Sequence, residues 1–176
     1  MEGKAVLFKK FANIDCFDIE VDEDNPQRLA EIVSSLEPTF GAINLEDIKA
    51  PDCFEVERLC KEKMKIPVFH DDQHGTAIVV GAAAVNAIEL SNRKIENTKI
   101  VAVGAGASGI ACLEMLVKLG AKRKNIWLSD SKGLITKNRS EINEEKKRFS
   151  QDSNLSKLGD VIKDCDMFLG LSLIHI

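Results

Sequence analysis

Short apolar runs alternate along the chain with segments in which apolar residues recur at helical spacing. Leu29, Ile32, Val33 and Leu36 show that helical spacing, whereas a short apolar run between turn residues is typical of a buried strand. The predicted strands are residues 5–11 and 16–21 (two strands or one interrupted strand), 41–45, 66–69, 99–103, 125–128 and 166–169. Two helices are predicted to begin near residues 26 and 52, and four more are predicted at 75–90, 110–119, 141–149 and 154–162. This alternation predicts an α/β fold, in which crossover helices join parallel strands.

Several element ends carry their own signals. Asn25 followed by Pro26 is a helix start, with Asn25 as the N-cap and Pro26 at the first helical position. Pro38 ends that helix, and Gly120 takes the C′ position of the helix that ends at residue 119. The segment 75–90 is rich in Ala and Val, which predicts a helix buried on several sides.

Composition excludes several classes of protein. The apolar fraction is 44%, enough for a core, and the net charge of −4 argues against a nucleic-acid partner. No apolar stretch is long enough to span a membrane. The cysteines are odd in number, with no C-x-x-C pair, so we interpret them as reduced thiols of a cytoplasmic protein (Cys16, Cys53, Cys60, Cys112 and Cys165).

A glycine-rich turn follows the predicted strand 99–103 and precedes a predicted helix, Gly104-Ala105-Gly106-Ala107-Ser108-Gly109. In this context the first glycine permits the tight turn, the second lets the backbone approach a pyrophosphate, and the third lets the helix pack on the strand. The free N–H groups at the helix start favour phosphate. The alternative is a turn required only for packing, but strand, helix and a following acid together favour a dinucleotide.

That acid is Asp130, which closes the next predicted strand. A carboxylate at this place accepts hydrogen bonds from the adenosine ribose, so Asp130 favours NAD over NADP, whose 2′-phosphate would meet its charge. Lys132 would offset part of that charge, so NADP stays open.

Two acidic pairs end the predicted strands 41–45 and 66–69: Glu46-Asp47 and Asp71-Asp72. Neighbouring carboxylates converge only where the backbone turns, as it does at strand ends. Oxygen ligands of this kind suit Mg²⁺ or Mn²⁺. The alternative role is capping of the helices that follow. Both pairs together, ahead of a dinucleotide turn, favour the metal site.

Other candidates have simpler interpretations. His70 and His74 flank the second acidic pair, but zinc would need further nitrogen or sulfur ligands, so we expect structural or supporting roles. Lys4, taken alone, is expected on the solvated surface, and Cys112 in the core.

Several long segments together resemble the malic enzymes of the short bacterial type. The similar segments are residues 1–9, 36–48, 66–77, the glycine turn and residues 129–133, so the resemblance runs from Met1 to about Gly170. It implies NAD(P)- and metal-dependent oxidative decarboxylation of malate to pyruvate and CO₂. It also implies that Lys4 is the general base, that Glu46, Asp47 and Asp72 hold the metal, and that Asp71 supports proton transfer or the metal's surroundings.

The resemblance also implies a domain plan. Residues 1–74 would be a partial N-terminal malic-type α/β domain for substrate and metal, and residues 75–170 a truncated Rossmann-type doubly wound parallel domain. The family's proton donor is a Tyr upstream of the similar region, and this chain has no Tyr. We therefore expect an internal fragment that is inactive alone and whose parent is a homo-oligomer. Residues 171–176 are expected to be a non-native tail, so His175 receives no role.

Two other functions stay open at this point. A metal-free NAD-dependent dehydrogenase of amino or hydroxy acids explains the glycine turn but leaves both acidic pairs without a role. A non-catalytic nucleotide-binding module is the alternative outside enzymes. Metal-dependent turnover of malate distinguishes all three.

Overall fold

The structure is a computed structural model that describes residues 2–171, and it contains two β-sheets flanked by helices. The first sheet pairs β1 with β2 in parallel, and the second has the order β5-β4-β3-β6. The helices are α1 (Glu2–Ala12), α2 (Pro26–Ser35), α3 (Asp52–Lys63), α4 (Asp71–Leu90), α5 (Ala107–Lys118), α6 (Glu144–Lys147) and α7 (Gly159–Ile162). The strands are β1 (Ile43–Leu45), β2 (Val68–His70), β3 (Ile100–Val103), β4 (Ile126–Asp130), β5 (Gly133–Leu134) and β6 (Met167–Gly170).

The first sheet lies against helices α2 and α3. Leu45 of β1 is paired with His70 of β2, so both strands end at the same edge. The core beneath them is apolar and buried, with members Ala30, Val33, Leu45, Val56, Cys60, Met64 and Val68. The predicted cap at the start of α2 is confirmed, because the Asn25 side chain accepts the Arg28 N–H at 3.0 Å.

Helix α4 follows β2 without a loop and links the two sheets. Sequence analysis places its start at Gly75, but it begins at Asp71, because the buried His70 side chain caps it by accepting the Gln73 N–H at 3.3 Å. Asp71 and Asp72 therefore lie in the first helical turn. Ala84 joins α4 to the core of the second sheet. The expected domain boundary at residue 74 falls inside α4 and stays a prediction.

The second sheet has the topology of a dinucleotide-binding fold. Strands β4 and β6 pair in parallel with opposite sides of β3, and the short β5 pairs antiparallel with β4. The chain therefore leaves β3 toward one side and returns on the other. Such a reversal of strand order opens a crevice at the carboxyl ends of the strands, where ligands bind in open α/β sheets.

The prediction of strands at 5–11 and 16–21 was wrong. Residues 2–12 form helix α1, and residues 13–25 have no regular structure. A helix satisfies its own backbone groups, whereas a strand here would need a neighbour. Glu2 in the first turn and Lys9 and Lys10 in the last turn suit the helix dipole. Asn13, with φ of +53°, ends the helix in the left-handed region.

The other differences concern lengths. The charged helix predicted at 141–149 is the single turn α6, and the helix predicted at 154–162 is reduced to α7. Within the described range, no helix has both the length and the apolar character needed to cross a membrane. Leu171 donates its N–H to the Val103 carbonyl at 2.8 Å, and the rest of the expected tail (172–176) lies outside the described residues.

Candidate functional site

The edge formed by β1 and β2 carries a group of three carboxylates. Glu46 directly follows β1, and Asp71 and Asp72 begin α4 directly after β2. The parallel register brings these chain positions together, so one oxygen from each carboxylate lies within 4.8 Å of the others. We call Glu46, Asp71 and Asp72 the acid cluster. Three convergent carboxylate oxygens fit a hard divalent cation such as Mg²⁺ or Mn²⁺.

Lys4 of α1 reaches the acid cluster from the other end of the chain. Its ammonium donates to Glu46 and, at 2.9 Å, to Asp71 Oδ2. Burial would lower the pKa of Lys4, but the hydrogen bonds and charges of Glu46 and Asp71 outweigh it and raise the pKa. Taken alone, Lys4 was expected on the solvated surface; in the structure its side chain is 35% exposed and contacts two members of the acid cluster. Its role as general base stays a prediction.

Asp47 does not join this group. Its backbone is in the left-handed region, with φ of +55°, and its side chain is exposed. Within residues 2–171, the three carboxylates close enough to share an ion are those of the acid cluster. This group contains Asp71, whereas the ligand set implied by the resemblance contains Asp47. The ligand set implied by the resemblance, with Asp47 as a ligand, therefore stays a prediction.

Gly75 makes room for the Asp71 carboxylate. A Cβ atom at residue 75 would lie 2.1 Å from Asp71 Oδ1, which is far inside contact distance. The glycine thus lets the carboxylate fold back over the first turn of α4. Sequence analysis missed this role, because it started the helix at Gly75 and so left Asp71 outside it.

Buried polar groups surround the acid cluster. The Asn44 amide donates to Glu46 Oε2 at 2.7 Å and so orients it. Three side-chain atoms nearby are buried and lack a hydrogen-bond partner in the described part of the chain: Asn44 Oδ1, His70 Nε2 and Gln73 Nε2. Buried polar atoms are normally paired, so this edge is built for further polar contacts. Asn44 and Gln73 were also missed: both lie in segments that resemble the malic enzymes, but an amide side chain beside the acidic pairs suggested no role of its own.

His74 contacts a carboxylate of α3. Its Nε2 lies 2.5 Å from Glu57 Oε1, which also accepts from Lys61 at 2.6 Å. Burial would raise the pKa of Glu57, but hydrogen bonds from Lys61 and His74 lower it. The predicted supporting role of His74 therefore corresponds to a contact between α4 and α3.

The glycine turn has the geometry expected of it. Gly104 has a φ of +107°, which side chains rarely adopt, and a Cβ at residue 109 would lie 1.8 Å from the Gly104 carbonyl oxygen. Gly106 is exposed and has open space where a Cβ would stand. It is also the N-cap of α5 and offers no side chain to the first N–H groups. These N–H groups fit a pyrophosphate.

Ala105, Ala107 and Ser108 complete the turn as half-buried residues. Asp130 ends β4 beside it, because Val103 pairs with Ser129 and the Gly104 N–H donates to the Ser129 carbonyl at 2.9 Å. The Asp130 side chain, however, is only 11% exposed, and Arg139 and Lys146 are bound to it. Burial would raise the pKa of Asp130, but these two cations lower it to about 2.

A family model described as the NAD-binding domain of malic enzyme matches residues 73–172 of the chain. The chain belongs to the malic enzyme family. The matched range contains Asp130 and the whole glycine turn, and it begins at the first turn of α4.

Individual malic enzymes resemble almost the whole chain. It is 60% identical over 173 residues to the NAD-dependent malic enzyme of Rhizobium meliloti and 55% identical over 174 residues to the NADP-dependent malic enzyme of Haemophilus influenzae. Each comparison covers 98% of this chain. The chain spans 22% and 23% of those relatives, about a quarter of their length.

Solved malic enzyme structures have the same fold. The NAD-dependent enzyme from Thermotoga maritima superimposes with a TM-score of 0.90 at 46% identity, covering 98% of this chain and 47% of the other. The malic enzyme of Entamoeba histolytica gives 0.92 at 34% identity, covering 99% and 39%. The partial malic enzyme fold, with parallel sheets and a Rossmann-like NAD-binding region, is therefore confirmed.

Proposed function

We propose that the native protein containing this chain oxidises malate to pyruvate and CO₂, with NAD(P) as electron acceptor and a divalent cation as cofactor. One observation carries the proposal: Lys4, Glu46, Asp71 and Asp72 come together at one strand edge in a chain that belongs to the malic enzyme family. A shallow depression lined by Asp71, Gly75 and Thr76 adjoins this edge and is where we place the substrate.

The reaction divides into three balanced steps. The C2 hydroxyl of malate loses its proton to a base while the C2 hydride passes to the nicotinamide, which yields oxaloacetate. The C4 carboxylate then leaves as CO₂ and its electron pair forms the enolate of pyruvate. Protonation at C3 completes pyruvate. A cation held by the proposed ligands Glu46, Asp47 and Asp72, or by the acid cluster, would supply Lewis-acid stabilisation of negative charge.

The chain's own residues supply binding and the first proton transfer. Lys4 Nζ holds and exchanges the proton at the substrate hydroxyl, and Asp71 orients Nζ through its 2.9 Å hydrogen bond. A lysine acts as a base near neutral pH only when its surroundings favour the neutral amine. Glu46 and Asp71 alone raise the pKa of Lys4, so this role requires a bound cation, whose charge would offset theirs and favour the neutral amine. The glycine turn binds the cofactor pyrophosphate. The resemblance makes a Tyr the acid that protonates C3, and this chain contains no Tyr.

Turnover by the full native protein tests the proposal. We expect malate-dependent formation of NAD(P)H, with one CO₂ and one pyruvate released for each NAD(P)H. EDTA should abolish this turnover, and added Mn²⁺ should restore it. Lys4→Ala should remove oxidation and keep nucleotide binding, whereas Lys10→Ala, an exposed change on the same helix, should leave turnover intact. The 176-residue chain alone should not turn over malate.

Two results would support the rival functions instead. EDTA-resistant oxidation of a hydroxy or amino acid without CO₂ would indicate a metal-free dehydrogenase. Nucleotide binding with no turnover of malate would indicate a nucleotide-binding module.

We also propose a cytoplasmic, homo-oligomeric parent. The reduced cysteines favour a cytoplasmic location. A homo-oligomer is favoured by exposed apolar side chains on α1, such as Val6 at 63% and Phe11 at 78% exposure. Size-exclusion chromatography with light scattering on the native protein, and its localisation by a fluorescent fusion, test these two statements.

A further inference from the structure

Asp130 occupies the place where a dinucleotide-binding fold presents an acid to the adenosine ribose. It is the last residue of β4, and the neighbouring Ser129 carbonyl accepts the N–H of Gly104, the first residue of the glycine turn. In folds of this kind, the acid accepts hydrogen bonds from the ribose hydroxyls of NAD, whereas a nearby arginine accommodates the 2′-phosphate of NADP.

The acceptor sites of Asp130 are already occupied. Oδ1 accepts from the Lys132 backbone N–H at 2.9 Å and from Arg139 at 2.9 Å, and Oδ2 accepts from Arg139 at 3.1 Å and from Lys146 at 2.8 Å. An ionised carboxylate offers about four lone-pair sites. A ribose hydroxyl would therefore have to displace a donor, and three of the four donors are charged.

The charge at this position is positive overall. Arg139 and Lys146, which we call the cation pair, carry two positive charges against the one negative charge of Asp130. Lys132 is balanced by Glu141, 2.5 Å away. The expected preference for NAD assumed that the negative charge of Asp130 would repel the 2′-phosphate of NADP. In the structure, Arg139 and Lys146 neutralise that charge.

The cation pair is also held in place. The Arg139 guanidinium donates to the carbonyls of Gly133 and Leu134, both at 3.3 Å, in addition to its paired contact with Asp130. The Arg139 side chain is 18% exposed and that of Lys146 is 24% exposed, so both retain a surface for an incoming group. A fixed, partly exposed guanidinium beside an ammonium is a strong phosphate-binding arrangement.

We propose that the cation pair accepts the 2′-phosphate of NADP, and that Asp130 positions these two cations instead of receiving the ribose hydroxyls. This inference rests on the proposed function, because it assumes that the adenosine end of the cofactor lies at the carboxyl end of β4. It makes Arg139 and Lys146 the residues that determine cofactor specificity.

Two small nucleotides isolate the 2′-phosphate from the rest of the cofactor. The 176-residue chain is titrated calorimetrically with adenosine 2′,5′-bisphosphate and with 5′-AMP, which differ only in that group. We expect the bisphosphate to bind about tenfold more tightly, as one or two charge-assisted hydrogen bonds provide. This ratio should fall as the salt concentration rises.

Variants of the cation pair assign the effect to its residues. Lys146→Gln and Arg139→Lys should each bring the ratio close to one while 5′-AMP affinity is retained, which also shows that the variant is folded. Lys137→Gln is the matched control, since Lys137 lies on the same loop, is exposed, and pairs with Asp152. It should keep the wild-type ratio.

The outcomes separate this inference from the function on which it rests. Equal binding of the two nucleotides by the unaltered chain, or a ratio that both variants leave unchanged, would overturn the role of the cation pair and leave the cofactor site intact. No binding of either nucleotide would contradict the proposed cofactor site and this inference with it. A purely structural ion pair would lower the melting temperature of the variants without moving the ratio.

Discussion

The acid cluster and the glycine turn both lie at the carboxyl ends of parallel strands, but they are built in different ways. The glycine turn consists of six consecutive residues, and the cofactor binding proposed for it depends on backbone conformation and on the absence of side chains. The acid cluster and Lys4 come from positions 4, 46, 71 and 72, and the metal binding and proton transfer proposed for them depend on side chains that only the fold brings together. The glycine turn, a contiguous site, is therefore sensitive to added atoms. The acid cluster with Lys4, a distributed site, is sensitive to the loss of a charge.

The largest expected effect is that of an added atom at the glycine turn. Gly109→Ala places a Cβ 1.8 Å from the Gly104 carbonyl oxygen, so backbone must shift. We expect the free energy of unfolding to fall by about 3 kcal/mol, measured by urea denaturation. Gly106→Ala is the control, because its Cβ meets open space and should change stability little.

Gly106 also distinguishes ligand contact from packing at the same turn. Gly106→Val should remain as stable as the wild type but lose most NAD and NADH affinity, since its side chain occupies the space for the pyrophosphate. Unchanged affinity would return the whole turn to a packing role.

Loss of a charge at the acid cluster should weaken metal binding by nearly as much free energy as Gly109→Ala removes from stability. Asp72→Asn or Glu46→Gln removes a charged oxygen ligand, and we expect Mn²⁺ affinity to fall about a hundredfold, roughly 2.7 kcal/mol. Electron paramagnetic resonance of free Mn²⁺ measures this on the chain. Asp52→Asn, at the start of α3, is the control.

Asp47→Asn sharpens this prediction in the same titration. A loss as large as that of Asp72→Asn would support the ligand set that the family resemblance implies. Wild-type Mn²⁺ affinity would support the three carboxylates that the structure brings together.

Acid should reveal a smaller contribution from Asp130. Its pKa is about 2 in the fold, against an ordinary value of 3.8. Because the folded pKa is the lower one, the stabilisation is present above pH 4 and is lost as the pH falls from 4 to 2. It amounts to about 2 kcal/mol.

Denaturant unfolding across pH 5 to 2 checks this contribution. The stability difference between wild type and Asp130→Asn should shrink by about that amount, and Arg139→Gln should reduce the acid sensitivity of the wild type. A difference that stays constant with pH would contradict the assignment of the ion pairs.

The smallest effect is expected at Gly75, where an added atom acts on the distributed site. Gly75→Ala gains up to about 1 kcal/mol of helix propensity. Its new Cβ would lie 2.1 Å from Asp71 Oδ1, so the Asp71 carboxylate must move. We expect unchanged or slightly higher stability together with about threefold weaker Mn²⁺ binding. Gly3→Ala, in open space on α1, is the control. Equal Mn²⁺ affinity in both variants would show that Asp71 moves without consequence.

Prediction from the sequence succeeded where neighbouring residues decide the outcome. The cap at Asn25, the tight turn at Gly104 with its φ of +107°, and Gly120 with its φ of +114° are local features and were confirmed. It failed at residues 5–11, where apolar content without a clear period fits a strand or a helix equally. Among the described residues, no strand pairs with this segment, and the helix satisfies its own backbone groups.

By itself, the sequence determined the order of strands and helices from α2 onward except β5, the glycine turn and the acidic residues at strand ends, because each depends on residues close together in the chain. Only the tertiary structure decided that Lys4 meets Glu46 and Asp71, and that Asp71 joins the acid cluster while Asp47 does not. It also decided that Arg139 and Lys146 occupy Asp130. These contacts form between side chains far apart in the chain, and their distances follow from strand register and helix packing.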